Sequence, residues 1–158
     1  MFIFGHLGFG RRLVSRWHHR LPWLALVVGI LLPDIIDKPL YYSGMSSFFS
    51  CTRTVGHTAL LALAVCATAW LRQAPALLAV GTGMVTHIVI DIAFELLTDR
   101  RFGAAWIAAT WPLHGSAFDR VTFTMSEHVE RLTTAPIALF EALGLLLLLL
   151  EARRRRPS

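Results

Sequence analysis

The chain has 158 residues, 55% hydrophobic and 16% charged, with a mean hydropathy of +0.57 and a net charge of +5. That length fits one domain, and the composition excludes an average water-soluble domain while suiting a small integral membrane protein. The basic residues flank apolar runs and form no stripe with interleaved aromatics, which argues against a nucleic-acid partner.

Residues 1–20 mix Phe2, Ile3, Phe4, Leu7, Phe9, Leu13, Val14 and Trp17 with Arg11, Arg12 and Arg16. This pattern predicts an amphipathic helix on or partly in a membrane. His18-His19-Arg20-Leu21-Pro22 makes the turn into the next helix, with both histidines solvated. The basic stretch 11–20 ahead of the apolar stretch 21–32 is like a signal peptide. Pro33-Asp34-Ile35-Ile36-Asp37 follows it, however, in place of a small-residue cleavage site, so a retained segment is expected.

Four segments are apolar enough to cross or enter a bilayer, roughly 21–36, 57–71, 74–97 and 134–151. The first two are short, since about 15 residues rise only about 23 Å, and they need a thinned bilayer or cover from protein. Pro75 suits the first turn of the third segment. Residues 38–56 read as a loop. So do residues 98–133, with Trp106 and Trp111 placed for an interface and Thr124-Met125-Ser126-Glu127 as a capping box for a short helix through Arg131. Cys51 and Cys66 read as ordinary free thiols. The arginines of the basic tail 152–158 come shortly after the leucine run, as a cytoplasmic stop should. The expected fold is an all-α integral membrane bundle of about four membrane segments plus the N-terminal amphipathic helix. It forms one domain over 1–158 with a cytoplasmic C-terminus.

Within the third segment, His87-Ile-Val-Ile-Asp91 places an imidazole and a carboxylate one helical turn apart on one face. Ionisable groups at membrane depth are costly without partners and read as functional. In the four-segment arrangement Asp34 and Asp37 close the first segment and His57 opens the second, on the same side. His87 and Asp91 lie about 18 and 24 Å along the third. Residues distant in the chain thus reach one level. His6 joins them, beside Asp34, if residues 3–17 and 22–36 pair as a hairpin. If residues 1–20 stay on the inner surface, it does not.

Imidazole with carboxylate is a ligand set for zinc and related first-row metals. Asp34, His57, His87 and Asp91 make one four-ligand site, and Asp91 bridges to a second metal held by His6. Two neighbouring metals are a common device for hydrolysing phosphoesters. Each residue alone has an ordinary reading: a buried hydrogen-bonded pair, a helix terminator, an interfacial histidine, Asp37 paired with Lys38. Their convergence favours the metal. Asp37, Glu95 and His114 are candidate acids or bases, Asp37 also a partner for a ligand, Glu95 also a candidate ligand one turn beyond Asp91, and His114 otherwise a loop residue like His128. Arg53 either binds an anionic substrate or is a solvated loop arginine.

The motifs Gly29-Ile-Leu-Leu-Pro33-Asp34-Ile-Ile-Asp37, Arg53-x-x-Gly56-His57-Thr58, His87-x-x-x-Asp91 and Trp111-Pro112-Leu113 stand in the order of a known family. Over roughly residues 3–115 the chain resembles the YdjM-like metal-dependent hydrolases of the bacterial inner membrane, sometimes labelled LexA-binding. It departs from their commonest pattern in carrying the second aspartate one residue later, at Asp37, and Thr52-Arg53-Thr54 where many have His-Arg-Gly. The order His, Asp, His, His-x-x-x-Asp is more distantly similar to zinc-dependent phospholipase C and the P1-type nucleases. Those resemblances imply an inner-membrane location, an α-helical fold with clustered metals, and phosphoester hydrolysis. Nothing in the residues points to LexA itself.

The expected function is a membrane-bound hydrolase with one or two zinc ions, acting on a phosphoester such as a lipid head group. Its partners would be membrane lipid and a phosphorylated amphiphile. The rivals are a non-catalytic membrane regulator or scaffold, and a small ion or proton carrier using the buried His/Asp chain.

Overall fold

The computed structural model describes residues 3–15, 21–42, 53–113, 126–127, 130 and 133–154. Among the described residues there are six α-helices and no strand: α1 (Ile3–Leu13), α2 (Trp23–Tyr42), α3 (Ala59–Leu71), α4 (Pro75–Asp99), α5 (Ala104–Thr110) and α6 (Ala135–Arg154). A 3₁₀ turn, Val55–His57, precedes α3. Local chemistry sets several ends. Thr58 caps α3 by accepting from Leu61 N (3.2 Å), and Pro75 opens α4, where a missing N–H costs nothing. Arg100 ends α4 in the left-handed conformation (φ 54°), its N–H returning to Leu96 O.

The centre of the molecule is α4 packed between α2 and α3. Glycines let the α2 and α4 backbones nearly touch. A Cβ on Gly83 would sit 2.6 Å from both Ile30 N and Leu26 O, and one on Gly29 would land on the carbonyl of Val80. Leu26, Ile30, Ala79 and Val14 fill one apolar cluster there, while Ala62, Met84, Ile88 and Ala109 fill a second under α3 and α5.

Helix α1 packs chiefly on α6, with α4 next. A Cβ on Gly8 would strike the backbone of Gly144, so these helices too meet through glycine. Glu141 of α6 accepts from Phe4 N (3.1 Å) and Gly5 N (2.9 Å), placing a carboxylate at the positive end of α1. Arg11 is buried, paired with Glu151 at 2.7 Å and 4.3 Å above the Trp23 ring. The expected amphipathic surface helix is therefore corrected. Its glycine face, not its apolar side chains, determines its place, and that face is inside.

The expectation of four membrane segments is also overturned. Among the described residues two helices are long and apolar enough to cross a membrane, Pro75–Asp99 and Ala135–Arg153. Every 18-residue stretch of α2 includes Asp34, Asp37 and Lys38, and α3 has 13 residues, about 20 Å of rise. Half of the apolar stretch of α4 is buried within the protein itself, so its hydrophobicity is explained by packing against α2 and α3. The inner-membrane placement with a cytoplasmic C-terminus, expected from four crossings, the basic tail and the resemblance, is overturned as well, since two candidate helices stand where four crossings were expected. Residues 38–42, expected in a loop, continue α2, and α5 lies within the expected loop 98–133. His18, His19 and Cys51 lie outside the described residues, as do Arg131 and most of the 124–131 capping segment.

Candidate metal centre

The site forms where α2, the 3₁₀ turn and α4 meet, with α1 closing one side. Asp37 of α2 holds the turn. It accepts from Thr54 N (2.6 Å), Thr54 Oγ1 (2.9 Å), Gly56 N (2.9 Å) and His57 Nδ1 (2.7 Å). A Cβ on Gly56 would lie 2.7 Å from Pro33 O, so glycine is needed for the turn to reach the helix. Because Asp37 is an acceptor, His57 carries its proton on Nδ1 and turns a lone pair outward on Nε2.

His87 is oriented the same way by a different partner. Its Nδ1 donates to the carbonyl of Ile30 at 2.6 Å. A carbonyl is only an acceptor, so His87 also exposes a lone pair on Nε2. The two Nε2 atoms face each other at 3.2 Å.

Two carboxylates complete the group. Asp34 Oδ1 lies 3.7 Å from His57 Nε2; Asp91 Oδ2 lies 3.7 Å from His57 Nε2 and 3.9 Å from His87 Nε2. Ligands around a tetrahedral zinc ion, bonded at about 2.0–2.2 Å, are separated by about 3.4 Å, so these atoms need only small inward shifts. On the other side, His6 Nε2 is 3.2 Å from Asp91 Oδ1, and its ring stacks on His87 with centroids 4.1 Å apart. The ligand atoms of His6, His87 and Asp91 fall within 4.8 Å of one another, as do those of Asp34, His57 and His87. All five residues are buried. The two clusters could hold one or two divalent ions, and the donor set alone does not specify zinc.

The charges point the same way. Burial pushes the Asp34 carboxyl up, but the Lys38 ammonium and nearby imidazoles outweigh it and hold it at about 2. Burial acts likewise on Asp37, where the His57 hydrogen bond and charge prevail and lower it. Burial opposes the Arg53 guanidinium, and the Asp91 carboxylate overrides that and raises it. With neutral imidazoles, the carboxylates of Asp34, Asp37, Asp91 and Glu95 face Lys38 and Arg53. These six side chains together leave two negative charges. Buried charge without compensation is strongly unfavourable, and one divalent cation would supply the balance.

Of the other expected site residues, Arg53 donates from Nε to Asp91 Oδ2 (2.7 Å) and holds Nη1 3.9 Å from Glu95. Glu95 accepts from Gly103 N (3.0 Å) and Ala105 N (3.1 Å), capping α5. Asp37, with four donors, orients His57. His114 lies outside the described residues. Lys38 pairs with Asp34 at 2.7 Å, not with Asp37. Its spacing of four residues from Asp34 is the signal that would have found it, the same rule that singles out His87 and Asp91.

The chain matches no family model, no curated protein and no solved structure. It carries two buried His/Asp clusters arranged as candidate divalent-metal sites, consistent with the broad class of metal-dependent hydrolases and with no one family in particular.

Proposed function

We propose that this chain is a zinc-dependent phosphoester hydrolase whose substrate is amphiphilic, such as a lipid carrying a phosphorylated head group. The observation that carries the reading is the 3.2 Å approach of His57 Nε2 and His87 Nε2, with both rings fixed by partners on Nδ1. Two lone pairs at that distance repel unless an electrophile lies between them. Two acidic oxygens beside them make a metal ion the fitting one.

In this reading Asp34, His57, His87 and Asp91 would hold one metal, and His6 with Asp91 would hold a second. Asp37 and Ile30 O keep the two rings in the ligating tautomer. When bound, the metal lowers the pKa of water and neutralises charge on phosphoryl oxygens. Arg53, anchored on Asp91, presents a planar donor group to a phosphoryl oxygen. Glu95 is the proton carrier on that side, since Asp37 has no acceptor capacity to spare. Exposed apolar side chains on α3 (Leu60, Leu63, Trp70, Leu71) and α6 (Leu139, Leu143, Leu146) support an amphiphilic substrate. The motif order shared with the YdjM-like hydrolases supports the same class.

One observation favours a second reading. Four protein donors can fill a tetrahedral site without water, as in structural zinc sites, and the chain would then be a scaffold. Turnover decides between them. Purified protein reconstituted with zinc should hydrolyse p-nitrophenyl phosphorylcholine or p-nitrophenyl phosphate, and Asp34→Ala and His87→Ala should abolish it. Zinc held stoichiometrically with no turnover on either ester would leave the scaffold.

A further inference from the structure

Lys38 is the one lysine among fifteen basic side chains, and it stands at the metal cluster. Its ammonium is 2.7 Å from Asp34 Oδ1, the same oxygen that lies 3.7 Å from His57 Nε2. Arg53 holds the matching position on the other side, on Asp91 Oδ2. The two cations differ from the residues they contact in exposure. The side chains of Lys38 and Arg53 are 17% and 25% exposed, against 7% for Asp34 and Asp91 and 3% for His57. Lys38 and Arg53 are thus the most exposed of the charged side chains that touch the cluster's carboxylates.

We propose that Lys38 is an anion-binding residue of this site, and that with Arg53 it selects a doubly charged terminal phosphoryl group over a singly charged phosphodiester. This rests on the metal-site reading given above, and it names the substrate class within it. An ammonium has three N–H donors, and one direction is taken by Asp34. A metal held by Asp34 would compete with Lys38 for that carboxylate, and the ammonium could then donate to a phosphoryl oxygen. Charge supports the dianion. With the imidazoles neutral, Asp34, Asp37, Asp91 and Glu95 set against Lys38 and Arg53 leave two negative charges, one divalent ion would neutralise them, and a second ion at His6 and Asp91 would leave the site two positive charges. A dianion matches that remainder; a phosphodiester matches half of it.

The test uses zinc-loaded full-length protein and reads binding, so that it does not depend on turnover. By calorimetry, inorganic phosphate should bind at least about tenfold more tightly than dimethyl phosphate, the strength of one charge-assisted hydrogen bond. Lys38→Gln should remove most of that preference at unchanged zinc content, and Lys38→Arg should keep it. In the wild-type protein, phosphate should protect Lys38 from an amine-selective acylating reagent, read by peptide mass mapping. That measurement stands even if Lys38→Gln fails to fold. Equal binding of the two anions, no protection of Lys38, or loss of zinc in Lys38→Gln would each overturn the proposal and leave Lys38 as a structural partner of Asp34. Phosphate binding that depends on Lys38 in a protein without esterase turnover keeps the proposal and removes the hydrolase. Turnover indifferent to Lys38 does the reverse.

Discussion

His57 Nε2 and His87 Nε2 are 3.2 Å apart, and each ring is held in place through its other nitrogen, by Asp37 and by the carbonyl of Ile30. The turn that carries His57 and the helix that carries His87 do not impose this distance on their own. It follows from α2, which supplies both Nδ1 partners within two turns of helix.

Metal binding is the first expected outcome. Purified protein should contain at least one divalent ion per chain by elemental analysis. Chelation should lower its thermal midpoint, because the metal binds only the folded arrangement. His87→Ala should empty the site. Wild-type protein that is metal-free, and unchanged in stability when zinc is added, would rule out the metal centre.

Asp37→Asn tests orientation apart from ligation. An amide can accept at one atom only, so the two donors now on one of the carboxylate oxygens would be left unmatched. Metal affinity should fall about 10–100-fold, with a loss of folding stability of about 2–3 kcal/mol. Unaltered zinc affinity in a folded Asp37→Asn protein would show that His57 needs no orienting carboxylate.

The carboxylates predict acid sensitivity of the metal-free protein. Asp34 is lowered from 3.8 to about 2 and Asp37 is lowered as well. A group depressed on folding stabilises the native state above its unfolded pKa, and that stability is lost as pH falls through the folded value. For Asp34 this is roughly 2 kcal/mol, present at neutral pH and lost from near pH 4 down towards pH 2. Urea unfolding across that range should show the decline in wild type and a flatter acid limb in Asp34→Asn. Identical slopes would contradict the assignment.

Helix contact tests positioning. Gly83→Ala forces a Cβ to within 2.6 Å of Ile30 N and Leu26 O, so α2 and α4 must separate. Stability should fall by about 2 kcal/mol or more. Zinc should also be lost, because Asp34 and His87 ride on the two helices. Gly8→Ala separates α1 from α6 instead, and should spare that zinc. Equal effects on zinc would mean that the α2–α4 contact does not set the site.

His6 distinguishes one ion from two. It contacts Asp91 Oδ1 while the other ligand atoms gather at Oδ2. His6→Ala should reduce bound metal from about two equivalents to about one, with the remaining ion on His57 and His87. No change in stoichiometry would leave His6 as a hydrogen-bond partner of Asp91.

Much of the site was legible in the chain because it rests on local rules. His87 and Asp91 share a helix face by spacing, and Asp34, His57 and His6 stand out as ionisable groups in apolar surroundings. The helical content follows equally from the long apolar runs. Contact atoms were not legible. The sequence shows Lys38 one residue after Asp37 and four after Asp34, and only the helix face taken by α2 decides for Asp34. It shows Asp37 and Glu95 as two more acids. Tertiary structure makes one the support of His57 and the other the cap of α5. Hydropathy misled over two of the four membrane segments because the apolar run of α2 continues into Asp34, Asp37 and Lys38 within the same helix, and because α3 has only 13 residues. It misled over α1 because an apolar–basic pattern reports side chains, while the close contact with α6 is made by Gly8 and Gly144, which have none. The sequence by itself determined which groups must find partners, since burial of a charge is costly wherever it occurs. Only the tertiary structure decided which partner each one has, because that depends on the approach of backbones far apart in the chain.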